Sequence, residues 1–124
     1  MARRSGQSSL PPPLEMACLG TLWTLGEGTV REVVTALAPR KAFAYTTVMT
    51  ILTRLWKKGQ VTRSRSGRAY AYAPTLSQAE FLAERMGGEL RRTRDRSAVL
   101  SQFVDKLSKA DTKALRVLLL ELDD

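Results

Sequence analysis

The chain contains no histidine. That removes the commonest general base and the commonest metal ligand, and it excludes any Ser-His-Asp or Cys-His catalytic arrangement. A single cysteine, Cys18, rules out an internal disulfide and a CxxC metal site, and it fits a reducing compartment. No apolar run reaches the roughly 18 residues of a membrane-spanning helix. The opening stretch MARRSGQSSLPPPL has two arginines but no apolar segment. It does not read as a secretory signal, and its Pro, Ser and Gly content predicts a flexible tail over residues 1–10. Gly-rich phosphate loops and GxSxG are also absent. These absences point away from an enzyme. The chain reads as a cytoplasmic protein with no cofactor, no metal and no membrane insertion.

Acidic residues are missing from one long internal stretch. Between Glu32 and Glu80 there are none, while Arg40, Lys41, Arg54, Lys57, Lys58, Arg63, Arg65 and Arg68 supply eight positive charges. The other twelve basic residues balance the twelve acidic ones, so the whole net charge of +8 lies in this segment. Such concentration causes self-repulsion, and phosphate is the usual partner that offsets it. A surface serving solubility alone mixes both signs.

The 124 residues, 44% of them hydrophobic, suffice for one ordinary domain or a small domain with an appendage. After Pro11, Pro12 and Pro13, the segment LEMACLGTLWTLG places Leu14, Ala17, Cys18, Leu22 and Leu25 on one helical face, ending at Gly26 and Gly28. In TVREVVTAL, Thr29 and Glu32 have the spacing of a capping box, Val30, Val33, Val34 and Leu37 form the apolar face, and Pro39 stops the helix. In AYTTVMTILTRLWKKG, Val48, Ile51, Leu52 and Leu55 define a buried face. Thr46, Thr50, Thr53, Arg54 and Lys57 fall opposite, Thr47 lies at the edge, and Tyr45, Met49 and Trp56 lie on a flank. VTRSR and AYAYAP then alternate around SGR, which predicts a two-stranded hairpin turning near Ser66 and Gly67 with its basic residues outward.

Three helices followed by a basic hairpin is the order of a winged helix-turn-helix, in which the third helix enters the DNA major groove. The threonines support this reading. Threonine is a mediocre helix former, so a merely solvated face would favour Glu, Lys, Gln or Ala. On a groove-facing helix its shortness allows close approach, its hydroxyl can bond a base or phosphate, and its methyl can meet a thymine methyl. The helix N-terminus adds donors for phosphate. The candidate DNA-binding residues are therefore Tyr45, Thr46, Thr47, Met49, Thr50, Thr53, Arg54 and Lys57 on the helix, with Lys41, Arg63, Arg65 and Arg68 on the wing and flanks.

The run AYTTVMTILTRLWKKGQVTRSRSGRAYAYAP resembles the recognition helix and wing of the BlaI/MecI/CopY family of bacterial repressors. The family pattern is T-T-V-x-T-x-L-x-R-L-x-K-K-G, then a wing ending in Y-x-Y-x-P. Thr46, Thr47, Val48, Thr50, Leu52, Arg54, Leu55, Lys57, Lys58 and Gly59 match it, as do Tyr70, Tyr72 and Pro74. LEMACLGTLWTLGEGTVREVV is similar to the family's first two helices, with Trp23 in the place of their tryptophan, and the resemblance spans about residues 11–86. It implies a homodimeric repressor on a double-stranded, palindromic operator with TACA/TGTA arms. Thr46, Thr47 and Thr50 would face bases, and Arg54 and Lys57 would contact phosphate. Met49 departs from members with arginine there, and methionine cannot make arginine's two bonds to guanine.

The domain reading is a tail over 1–10, a winged helix over 11–74 and a helical dimerisation region over 75–124. Ser77 with Glu80 would cap one helix that breaks at Gly87 and Gly88, and Ser108 with Asp111 would cap the last. Val99, Leu100, Phe103, Val104 and Leu107 line one side, and Leu115, Leu118, Leu119 and Leu122 make a second stripe. So short a region has little core of its own. A second copy is one cover, for which Phe81 joins the candidate residues, and packing back onto the same chain is the other. In the antibiotic-responsive branch of the family, a membrane sensor-protease triggers cleavage at an Asn-Phe pair. The comparable place here is Gln102-Phe103. The copper-responsive branch ends in a cysteine cluster, which this chain lacks, and Cys18 reads as a packed core thiol. The competing function is a winged-helix protein-interaction module without operator specificity.

Overall fold

A computed structural model describes residues 13–123, so the tail over 1–10 lies outside the described residues. Helix α1 runs from Pro13 to Leu25. Its buried stripe is Glu15, Cys18, Leu19 and Leu22, rotated from the expected one. Leu25, at the last position, is 45% exposed and leaves the core, while Leu19 enters it. The chain turns at Gly26, whose N–H donates to the Leu22 carbonyl. Strand β1 (Gly28–Thr29) leads into α2 (Val30–Leu37). The Thr29–Glu32 capping box forms as expected, with the Thr29 hydroxyl accepting from the Glu32 N–H and the Glu32 carboxylate from the Thr29 N–H.

Helix α3 (Tyr45–Lys57) buries Val48, Ile51, Leu52 and Leu55, the face read from its periodicity. Its end explains the K-K-G motif. Gly59 has φ +78°. Its N–H donates to the Trp56 carbonyl at 3.0 Å, and the next N–H, of Gln60, donates to Leu55 at 2.9 Å. This is a Schellman cap, whose left-handed position suits glycine. It turns the chain directly into β2 (Val61–Ser66), which pairs antiparallel with β3 (Ala69–Pro74) across a two-residue loop containing Gly67 at φ +63°. The sheet has one strand more than the hairpin. β1 adds to β3, with Gly28 opposite Tyr72, giving the order β1-β3-β2. Two residues carry no readable alternation, so this strand was invisible in the sequence.

The described residues pack as two units that divide between Arg85 and Met86, within α4 (Gln78–Leu90). The first unit holds the core, from Cys18 and Leu19 through α2, α3, Val61 and Tyr72 to Phe81. Trp23 lies on Phe81 with ring centroids 5.3 Å apart and donates its indole N–H to the Leu76 carbonyl. Ser77 and Glu80 exchange cap bonds, and the Ser77 backbone N–H, then its hydroxyl, hold the Glu80 carboxyl below the ordinary carboxylate range. α4 continues through Gly87 and Gly88 instead of breaking there. Glycine weakens a helix interior by only about 1 kcal/mol relative to alanine, which does not forbid it. In the second unit, Asp95 caps α5 (Arg96–Asp105) and Ser108 caps α6 (Lys109–Leu122). Neither helix has a buried residue.

Burial, then the nearby Glu15 carboxylate, raises the Cys18 thiol to about 11 from an ordinary 9.0. Well below pH 9 the thiol is almost wholly protonated in folded and unfolded chains alike. As pH rises from 9 towards 11 only the unfolded chain loses its proton, so stability falls across that window. At pH 8 a disulfide reagent should react with native Cys18 about a hundredfold more slowly than with the unfolded chain, from ionisation alone. Equal rates in a stopped-flow thiol assay would contradict a buried, neutral Cys18.

Candidate nucleic-acid interface

The side of α3 opposite the core forms one open surface. Tyr45, Thr46, Thr47, Met49, Thr50, Arg54 and Lys57 are exposed, and Thr53 is half-buried. The helix starts at Ala44, which supplies no side-chain cap, and its first turn holds no acidic residue. α2, α4, α5 and α6 each start on a Thr, Ser or Asp cap. The leading N–H groups and the positive dipole end of α3 are therefore open to an anion. Thr50 donates its hydroxyl proton to the Thr46 carbonyl at 2.9 Å. While that bond holds, the oxygen faces a base as an acceptor, suited to an adenine or cytosine amino group, beside a methyl suited to thymine.

The basic residues separate into three settings. Lys58 turns inward and bonds Glu15 at 2.8 Å, the carboxylate being 1% exposed. It pins the end of α3 to α1. Lys41, Arg54, Lys57, Arg65 and Arg68 are exposed, with Lys41 5.5 Å over the Phe43 ring. Arg63 departs from the outward placement expected. Strand alternation puts it on the face of Val61, and it is half-buried with its guanidinium 3.6 Å from the Trp56 ring centroid and 4.1 Å from that of Tyr70. Arg65 lies 5.3 Å from the Tyr70 centroid. The surface also includes Arg31 of α2, 5.6 Å over the Tyr45 ring. Its neighbour Glu32 and its place before the acid-free segment hid it in the sequence.

In the second unit Val99, Leu100, Phe103, Val104, Leu118, Leu119 and Leu122 are 40–80% exposed, and Leu107 and Leu115 are half-buried beside an apolar groove between α5 and α6. Phe81, by contrast, is buried in the core of the first unit. Gln102 and Phe103 lie within α5. Among the described residues no helix is long and apolar enough to cross a membrane, and no group of acidic or cysteine residues could hold a metal ion.

The family model described as "Penicillinase repressor" matches residues 12–121. The "Transcriptional regulator BlaI" of Mycobacterium tuberculosis is 42% identical over 114 residues, covering 89% of this chain and 83% of that protein. The "Penicillinase repressor" of Bacillus licheniformis is 24% identical over 78 residues, 63% of this chain and 61% of that one. A solution structure of the DNA-binding domain of the repressor BlaI superposes with a TM-score of 0.52 at 24% identity, over 58% of this chain and 88% of that domain, and shares its winged-helix fold.

Proposed function

The chain belongs to the penicillinase repressor family, and on that premise we propose that it is a sequence-specific DNA-binding transcriptional repressor acting as a homodimer on a palindromic operator. The observation that carries this is the open α3 surface. An uncapped positive helix end, a threonine-lined face and exposed Arg54 and Lys57 occupy one side of a helix whose other side is core. Thr46, Thr47 and Thr50, flanked by Tyr45, Met49 and Thr53, face the base edges. Arg54, Lys57, Lys41, Arg65 and Arg68 meet phosphate.

The homodimer rests on the second unit. Val99, Leu100, Phe103, Val104, Leu107, Leu115, Leu118, Leu119 and Leu122 form apolar surface on helices that bury none of their residues. A partner copy removes that surface from water and joins two reading heads. Derepression on this reading is a cut at Gln102-Phe103 by a membrane sensor-protease, which would separate α6 from the DNA-binding unit. Because the pair is helical, α5 must first unwind locally.

Replacing Arg54 tests the assignment of α3. Arg54→Ala should weaken binding to every duplex about equally and lower the slope of log affinity against log salt by about one, the signature of one lost phosphate contact. A change of base preference with an unchanged slope would show that Arg54 reads bases. Salt-insensitive binding with no effect of the substitution would favour the protein-interaction module.

A further inference from the structure

The geometry points to Arg63 as a positioning residue that locks the wing to the end of the recognition helix, not as a phosphate contact. This rests on reading α3 as the helix that enters the operator.

The wing begins four residues after α3 ends, and its strands extend away towards the Gly67 turn. A two-stranded ribbon is marginal by itself, and its tip needs a tie to the body to hold one orientation. Arg63 supplies that tie. The guanidinium carbon lies 3.6 Å from the Trp56 ring centroid and 4.1 Å from that of Tyr70, so one cation is in contact with a ring of α3 and a ring of β3. Neither ring is buried in the core; Trp56 is 38% and Tyr70 36% exposed. Tyr70 also leans edge-on towards the buried Tyr72, with centroids 6.4 Å apart, which connects the clamp to the core. Arg63 is half-buried, whereas Arg65 and Arg68, nearer the tip, are exposed. The positive charges of the wing therefore divide between one that sets its angle and two that can reach the DNA backbone. Pre-setting that angle lets helix and wing engage a half-site without first ordering the wing, and it makes spacing between their contacts part of the specificity.

Arginine is suited to this place because its planar cation stacks on both rings, which a lysine ammonium cannot reproduce. The test uses the full chain. In proton NMR of the free protein, the Arg63 δ protons should lie upfield of those of the other arginines through the ring currents of Trp56 and Tyr70, and Trp56→Leu should reduce the shift to the part that Tyr70 supplies. Unshifted Arg63 protons would overturn the clamp without reference to DNA. In titrations on a TACA-TGTA palindrome, Arg63→Ala, Arg63→Lys and Trp56→Leu should each lower affinity about tenfold, and Arg63→Ala with Trp56→Leu together should do no more than either alone. Trp56→Phe, which keeps a ring, should restore most of it. The salt slope, measured on the palindrome and on a scrambled duplex, should be unchanged by these substitutions, while Arg65→Ala and Arg68→Ala should each lower it by about one. Circular dichroism of each variant separates a moved wing from an unfolded chain. If Arg63→Ala lowers the slope by one, Arg63→Lys restores it and Trp56→Leu has no effect, Arg63 is a direct phosphate contact and the positioning role falls. A wild-type chain with no preference for either duplex would instead count against the operator reading, leaving the NMR result to judge the clamp.

Discussion

A chain carrying both Leu118→Asp and Leu122→Asp should run as a monomer and bind the palindrome about 10²- to 10⁴-fold more weakly than the wild type. The two leucines are 57% and 80% exposed in the single chain. An aspartate at either place therefore meets water in the monomer and should leave its fold intact. In a dimer that buries α6, the same substitution places an unpaired carboxylate in an apolar contact, which association cannot offset. Losing the partner removes the high effective concentration of the second reading head, with no contact on α3 altered. Sedimentation velocity gives the assembly state, and a half-site duplex provides the control: the double variant should bind it as well as the wild type does. A double variant that still sediments as a dimer would place the interface elsewhere.

The second large effect concerns stability. Lys58→Ala should destabilise the protein by about 3 kcal/mol, the lower end of the range for breaking a buried pair, because Lys58 itself is partly exposed. The reason is asymmetric. Glu15, on the buried face of α1, is 1% exposed, whereas the Lys58 side chain is 43% exposed. Removing the lysine takes from a buried carboxylate the partner that lies 2.8 Å from it. Glu15→Met leaves an ammonium that can turn to solvent, and it should cost less than about 1 kcal/mol. For a domain of this size 3 kcal/mol corresponds to roughly 15 °C in melting temperature. Urea unfolding of the two variants checks the order, and Glu15→Met proving the more damaging would refute this account of the pair. Neighbouring lysines of one motif thus have separate duties, Lys57 towards the proposed DNA surface and Lys58 towards the core.

What could be read in advance follows a physical pattern. The buried face of α3 shows as a helical period, the capping boxes at Thr29 and Ser77 as a three-residue spacing and the hairpin as alternation about a tight turn, and local sequence carries all three signals. Glu15 and Lys58 are 43 positions apart, and nothing local marks either as the inward-facing member of its neighbourhood. β1 exists only because β3 lies beside it. The stripe of α1 was misplaced because Leu19 and Leu25 are equally apolar, and only the packing of α2 and α3 decides which one is covered. Arg63 was a different kind of miss. Val61, Arg63 and Arg65 share strand parity, yet only Arg63 is half-buried, because Trp56 and Tyr70 both lie against it, and alternation does not carry that difference.

On the proposed function, the exposed face of α3 reads a defined operator. A salt titration of wild-type binding to a TACA-TGTA palindrome and to a scrambled duplex, compared at physiological ionic strength, tests it most directly. A preference of about a thousandfold or more for the palindrome is expected, on top of a shared salt-dependent component. Equal affinities with the same steep salt slope would mean that the basic segment grips DNA without reading that sequence, and would contradict the assignment of Thr46, Thr47 and Thr50 to its bases.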